Sequence, residues 1–350
     1  MSKSSYNILV VDDSRIIRQA IIAIIHTNDE LHVVGEASNG HEALALIARL
    51  KPDLVTLDVI MPQMSGLTTL KHIMIFHPTP VVMLSSVTQE GAAMTFDALR
   101  YGAVDFIAKP SKLEGNSLQT QSSEIIQKLL TAVKIKISAV QYIRVKPKSA
   151  DFRLPKLPCK NIVVLGVAEG GYETLLKIIP RLSPQTATVY LVVFYESAVH
   201  INGFVDYLNQ YSQVMVTRPK NNTTLQSGVC YFSLGEEYVT VHSQQGQYTV
   251  HVSHAPFSSR RGSIDMLMFS VAETVGKHSL GVILTGAGSD GAEGLEEIIR
   301  VGGGAIIQAP VSCLYRSMAL SALNACEAEV VVADTEIASE IAHFLSNSQS

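Results

Sequence analysis

Short apolar runs alternating with helix-period stretches recur along nearly the whole chain, and few folds satisfy that alternation. Parallel strands cannot be joined by tight turns. They need a crossover, usually a helix, so the pattern predicts parallel sheets with helices on both faces. The first series comprises NILVV (7 to 11), LHVVGEA (31 to 37), DLVTLD (53 to 58), PVVMLS (80 to 85) and AVDFIA (103 to 108). Between the first two, Ile17, Ile21, Ile24 and Ile25 share one helical face, and a closing helix is expected from about Ser123 to Ile135. A second series follows at 162 to 166, 189 to 194, 214 to 219, 280 to 286, 304 to 308 and 329 to 334. Within it, GEEYVTVHSQQGQYTVHV alternates at period two about a glycine turn and reads as an antiparallel hairpin. A final helix is expected over Thr335 to Leu345, capped by Thr335. Two α/β domains result, at 5–135 and 159–348. The segment 136–158, with three prolines, six Lys or Arg and one acid, has the composition of an extended, solvated linker.

Composition narrows the function classes. A chain of 350 residues with 47% hydrophobic and 17% charged content suits two packed domains. No stretch approaches the roughly 18 apolar residues of a membrane span, and MSKSSYNILVVDD meets an acidic pair too early for a secretory leader. The expectation is a cytoplasmic protein that is not membrane-embedded. A net charge of -4, without a basic field, disfavours nucleic acid. Cys159, Cys230, Cys313 and Cys326 lack C-x-x-C spacing, so neither zinc nor a disulfide framework is expected.

In the first domain Asp12 and Asp13 follow the first strand and Asp58 ends the third. Open parallel sheets bind ligands at the carboxyl ends of their strands, where the strand order reverses. Three carboxylates gathered there repel one another unless a cation intervenes, and Mg²⁺ suits oxygen donors. Ser85 and Lys109, after the fourth and fifth strands, add a hydroxyl and a positive charge. Singly, each has a structural reading: Asp13 as a helix cap, Asp58 as a turn former, Lys109-Pro110 as a bend. Together they occur in order, each at the end of its own strand. With D-x-x-M-P-x-x-x-G from Asp58 to Gly66 and the K-P pair at Lys109, residues 6 to 111 resemble a bacterial two-component receiver domain. The resemblance implies a flavodoxin-like (βα)5 fold in which Asp58 accepts phosphate from a histidine kinase. It also implies that Asp12, Asp13 and Asp58 hold Mg²⁺, that Ser85 and Lys109 contact the phosphoryl group, and that Phe106 is the switch aromatic.

The second domain opens with IVVLGVAEGGYETLL, a strand, a glycine turn and a helix start, with Ala168 at the turn's centre. GVAEGG (166 to 171), RRGSIDMLMFSVA (260 to 272), GVILTGAGSDGAEGL (281 to 295) and GGGAIIQ (302 to 308) resemble the C-terminal domain of the chemotaxis methylesterase regulators. That resemblance implies a doubly wound Rossmann-like domain that removes methyl groups from chemoreceptor glutamates. A serine hydrolase needs a hydroxyl, an imidazole and a carboxylate. Carried over position by position, the nucleophile falls on Ala168, the histidine on Tyr195 and the carboxylate on Asp290. The methionine whose backbone helps cradle the oxyanion falls on Ala287. Two of the three triad members are thus replaced.

The expectation is a response regulator phosphorylated on Asp58 whose second domain has lost hydrolysis and binds a chemoreceptor or other signalling partner. The alternative is an active protein-glutamate methylesterase or glutaminase with a relocated nucleophile. Asp290 has a structural explanation as the cap of its own helix, with Glu293 completing a capping box. Glu169, in the first turn of a helix, is a candidate water activator. His200 is expected in a loop or cap, and His251 and His254 at the surface.

Overall fold

A computed structural model describes residues 5–85, 89–110, 118–135, 148, 154, 157–244, 246–254, 262–328 and 330–347. The chain divides into two compact units, residues 1–143 and 144–350.

The first unit contains β1 (Tyr6–Val11), α1 (Arg15–Ile25), β2 (Leu31–Ala37), α2 (Gly40–Leu50), β3 (Leu54–Asp58), α3 (Gly66–Phe76), β4 (Val81–Ser85), α4 (Gln89–Arg100), β5 (Asp105–Ala108) and α5 (Leu118–Ala132). Its strands are all parallel, in the order β2-β1-β3-β4-β5. Every residue of β3 and β4 is buried, which explains why these strands read as mainly apolar runs, broken in β3 by Thr56 and closed by Asp58 and Ser85. On α1, Ile21 and Ile25 are fully buried, as the spacing predicts. The closing helix begins five residues earlier than expected, at Leu118. The chain leaves β1 for β2 on one side and returns to β3 on the other, so strand order reverses between β1 and β3. Asp12 and Asp58 stand at that reversal.

The second unit holds β6 (Asn161–Val167), α6 (Gly171–Ile178), β7 (Thr188–Phe194), α7 (Ala198–Tyr211), β8 (Met215–Thr217), β9 (Thr223–Thr224), β10 (Val229–Leu234), β11 (Glu237–Gln244), β12 (Gln247–His254), α8 (Ser263–Val275), β13 (Ser279–Ile283), α9 (Ala292–Arg300), β14 (Gly304–Gln308), α10 (Ser317–Ala325), β15 (Val330–Val332) and α11 (Ile337–Asn347). A parallel seven-stranded sheet runs β15-β14-β13-β6-β7-β10-β8. The hairpin β11–β12 forms where expected and recruits β9 into a separate three-stranded antiparallel sheet. β10 is absent from the expected strands, yet all six of its residues are buried between β7 and β8. α11 is displaced two residues along the chain from the expected helix.

In this unit the strand order reverses between β6 and β13. The turns after β6, β7 and β13 therefore carry Ala168, Tyr195 and Thr285–Ala287 to one sheet edge. A T-shaped aromatic cluster braces that edge, with the Tyr172 ring 4.8 Å from both Phe194 and Phe204. Most of the expected linker lies outside the described residues. Lys148, within the second unit, donates from Nζ to Asn209 Oδ1 at 2.7 Å and to the Val214 carbonyl at 2.8 Å, so at least this residue is docked rather than solvated.

Gly66 starts α3 against the backbone of Asp58. A Cβ there would lie deep inside the Asp58 carbonyl oxygen, which no side-chain rotation can relieve. Gly66→Ala is expected to destabilise the first unit by about 3 kcal/mol, the upper part of the overpacking range. Domain-resolved calorimetry of the full chain checks this, with the second unit's transition unmoved.

Candidate functional site

The first site is a crevice of buried carboxylates. Asp12 is fully buried, Asp58 nearly so, and Asp13 is exposed. One oxygen from each lies within 4.8 Å of the others. Lys109 Nζ sits 2.8 Å from both Asp12 Oδ2 and Asp58 Oδ2. Both Oδ2 atoms are buried, and the ammonium is their close partner. Oδ1 of Asp12 accepts from Ser14 N–H at 2.8 Å, and Oδ1 of Asp58 from Ile60 N–H at 3.2 Å. Burial, and then the neighbouring Asp12 charge, hold the Asp58 carboxyl above its ordinary range, against the pull of Lys109. Burial works against the Lys109 charge, but hydrogen bonds to Asp12 and Asp58 and their charges keep its pKa raised. Three crowded hard carboxylates match a small divalent cation.

Ser85, 7% exposed, accepts at Oγ from Thr95 Oγ1 of α4 at 2.9 Å, which couples the end of β4 to that helix. Phe106 is buried with its ring edge-on to Phe96 at 6.3 Å. Two contributors escaped the sequence reading. Thr95 is one. The other is Arg18, whose guanidinium bonds the carbonyls of Asp12 and Asp13 and so fixes the acidic loop. Asp13 does not cap α1; the cap position is Ser14.

The second site lies on the edge where β6, β7 and β13 end. Ala168 is buried, and its N–H donates to Thr285 O at 3.0 Å. Tyr195 N–H donates to Val167 O at 3.1 Å, tying the neighbouring strand ends. The Tyr195 hydroxyl donates to Asp290 Oδ2 and accepts from Ser263 N–H at 3.4 Å. Burial, followed by the Asp290 charge, pushes this phenol far up, so it stays protonated. Its ring lies on the bare backbone of Gly235, where an added Cβ would fall among the ring carbons.

Asp290 departs from its expected role. It does not cap α9, whose cap position is Gly291 at φ +92° with no side-chain cap bond. Its oxygens instead reach α8, accepting from Ile264 N–H and Asp265 N–H at 3.0 Å each. The capping-box reading fails because unpaired amides at the start of a different helix, together with a buried hydroxyl, compete for the carboxylate and win. Asp265 accepts in turn from Gly294 N–H at 2.7 Å. Burial, then the hydrogen bond and charge of Asp290, push the Asp265 carboxyl up to about 7.

Glu169 extends across the site, and its Oε2 accepts from Ala287 N–H at 3.0 Å. His200 lies in the first turn of α7, against Glu196 Oε1 at 3.3 Å. The His251 ring packs edge-on against His242 on the exposed hairpin. The side chain of His254 lies outside the described residues. A hydroxyl does meet an imidazole elsewhere, Thr240 Oγ1 to His242 Nε2 at 3.0 Å, but on that hairpin and not at the sheet edge.

Comparison with known proteins settles the family. Residues 163–341 match the model of the CheB methylesterase domain, and residues 8–117 that of the response regulator receiver domain. A protein-glutamate methylesterase/protein-glutamine glutaminase of Hydrogenovibrio crunogenus is 32% identical, across 94% of this chain and 96% of its own. The chain belongs to the CheB methylesterase family. A relative of the same name from Geobacillus kaustophilus is 34% identical over 97% of this chain and 98% of its own. The CheB methylesterase catalytic domain of Thermotoga maritima shares the fold, with a TM-score of 0.50 and 23% identity, over 52% of this chain and 97% of that one. The receiver unit and the CheB-type unit with its small antiparallel sheet are therefore the architecture that the sequence predicts. Among the described residues no helix is long and apolar enough to cross a membrane.

The raised Asp265 carboxyl of this CheB-family domain gives a pH dependence with a definite sign. Between about pH 4 and 7 the folded domain binds the Asp265 proton that the unfolded chain releases, so stability falls as pH rises through this window and is flat in this respect outside it. Hydrogen exchange of the β6 amides in the full chain is expected to be slower at pH 5 than at pH 8, after correction for intrinsic rates. Asp265→Asn is expected to abolish most of that difference.

Proposed function

We propose that this CheB-family chain is a phosphorylation-controlled regulator whose second domain binds a glutamyl-bearing signalling protein without hydrolysing it. Position 168 carries the reading. A buried methyl group stands where an acyl-transfer nucleophile is required, beside a tyrosine that a carboxylate holds protonated. Neither group can supply a hydroxyl nucleophile and take up its proton. Loss of a triad serine alone costs about 10⁶ in turnover in the hydrolase where it was measured.

In the receiver, Asp58 is the phosphoryl acceptor: the bond from phosphorus to a histidine nitrogen of the partner kinase breaks as the bond to a carboxylate oxygen of Asp58 forms. Asp12, Asp13 and Asp58 would hold Mg²⁺, which when bound neutralises charge on the phosphoryl oxygens. The crowded, partly unbonded oxygens support that donor set. Lys109 would contact a phosphoryl oxygen in exchange for its carboxylate pair, and Ser85 would donate its proton; the Lys109–Asp58 ion pair at 2.8 Å and the Thr95–Ser85 bond support this reading. Phe106 is the switch aromatic, adjoining α4 through Phe96. The proposed boundaries are 5–135 for the receiver, 136–158 for the linker and 159–348 for the methylesterase-type domain. Partners are a histidine kinase of a chemotaxis-like system and a chemoreceptor or comparable signalling protein, in the cytoplasm.

The relatives' names favour a second reading, an active protein-glutamate methylesterase or glutaminase with a displaced nucleophile. Methanol release from methylated chemoreceptors by the phosphorylated chain separates the two. Release at the buffer rate is expected; turnover well above it establishes the second reading instead.

Two outcomes are expected for the receiver. Incubation with labelled acetyl phosphate and Mg²⁺ gives an acid-stable, alkali-labile label that Asp58→Asn abolishes. Mg²⁺ raises the receiver's melting temperature by linkage, equivalent to about 2.7 kcal/mol at a hundredfold excess over Kd, and Asp13→Ala removes most of that shift.

A further inference from the structure

The turn that follows β13 offers three successive backbone amides, and each is already engaged. Gly286 N–H donates to Tyr315 O at 3.0 Å, Ala287 N–H to Glu169 Oε2 at 3.0 Å, and Gly288 N–H to Ser317 Oγ at 3.1 Å. An amide has one hydrogen, and a carboxylate is its strongest common acceptor. The bond from Ala287 spans 118 positions of sequence and joins the turn after β6 to the turn after β13. The backbone of Glu169 is held in place, since its carbonyl oxygen accepts from Thr285 Oγ1 at 3.3 Å and it directly follows the buried Ala168; its carboxylate reaches Ala287 at the solvent-facing side of the turn.

We propose that Glu169 is a built-in occupant of the anion-accepting position of this site, a tethered carboxylate that closes the Ala287 amide to any outside carbonyl or carboxylate. The proposal deepens the reading of a silent hydrolase and rests on it for the assignment of the site. It differs in consequence. Ala168 and Tyr195 remove the groups that would attack an ester, whereas Glu169 removes the donor that would stabilise the product of attack. It also places a fixed negative charge where negative charge would have to develop. Restoring serine and histidine would therefore leave the site without its electrostatic half. The carboxylate equally disfavours binding a free glutamate side chain at that amide.

The test is direct and needs no turnover. In the ¹⁵N-labelled full chain, the Ala287 amide resonance is followed as N-acetyl-L-glutamate is added. It is expected to stay in place in the wild type and to move saturably in Glu169→Thr. Ala287 exchange with solvent is expected to be at least about tenfold faster in the variant, as for an amide released from a stable bond. Should Glu169→Thr fail to fold, Glu169→Ala serves in its place. Movement of Ala287 in the wild type comparable to the variant overturns the proposal, and so does an Ala287 that neither moves nor exchanges faster once Glu169 is replaced. Methanol release by the wild type would sink the silent-hydrolase reading by a separate measurement, and the state of the Ala287 amide would still be read from its own resonance.

Discussion

A single buried carboxylate organises the second domain. Asp290 accepts two amides from the first turn of α8 and the hydroxyl of Tyr195, so it joins the end of β7, the start of α8 and the loop after β13. Each bond satisfies a donor that would otherwise be stranded in the interior, where an unmade hydrogen bond costs about 1–3 kcal/mol. The positive end of the α8 dipole faces the charge. Asp290 therefore has reason to remain whether or not catalysis does, and its presence alone says nothing for hydrolysis.

The receiver solves a related problem with the opposite sign of consequence. Its buried carboxylates are not saturated by amides. Asp12 and Asp58 each keep a buried oxygen against the Lys109 ammonium. Repulsion between them is held in check by one ammonium on a long side chain. Thus one unit balances its buried carboxylates with a side-chain cation, while the other has spent its own on backbone amides and a hydroxyl.

Much of this was legible in the sequence for identifiable reasons. Strands buried on both faces write themselves as continuous apolar runs, and β14, buried at four of its five positions, falls on the residues its composition indicates; the half-exposed β2 was placed as well. Asp12, Asp13, Asp58, Ser85 and Lys109 were locatable because each stands at or just past the carboxyl end of a strand, Asp12 and Asp13 sharing β1, and strand ends are local events. β10 was missed although VCYFSL is as apolar as its neighbours, because it runs directly into the alternation of the hairpin and its edge is masked. The role of Asp290 was misread for another reason: a plausible cap within four residues hid a real cap on a helix some twenty-five residues away. Thr95 with Ser85, and Glu169 with Ala287, are tertiary pairs for which no period or spacing gives a signal.

The packing of Tyr195 on Gly235 extends beyond this molecule. Since a β-carbon at 235 would coincide with the phenol ring, the two positions are correlated by volume: in this pose, a bare backbone at one is the condition for the large ring at the other. Chains of this fold that carry a phenol at the end of β7 can thus be sought by a pair of letters, forty positions apart, without solving their structures. A chain bearing the phenol with a bulky residue opposite must have moved one of the two strands.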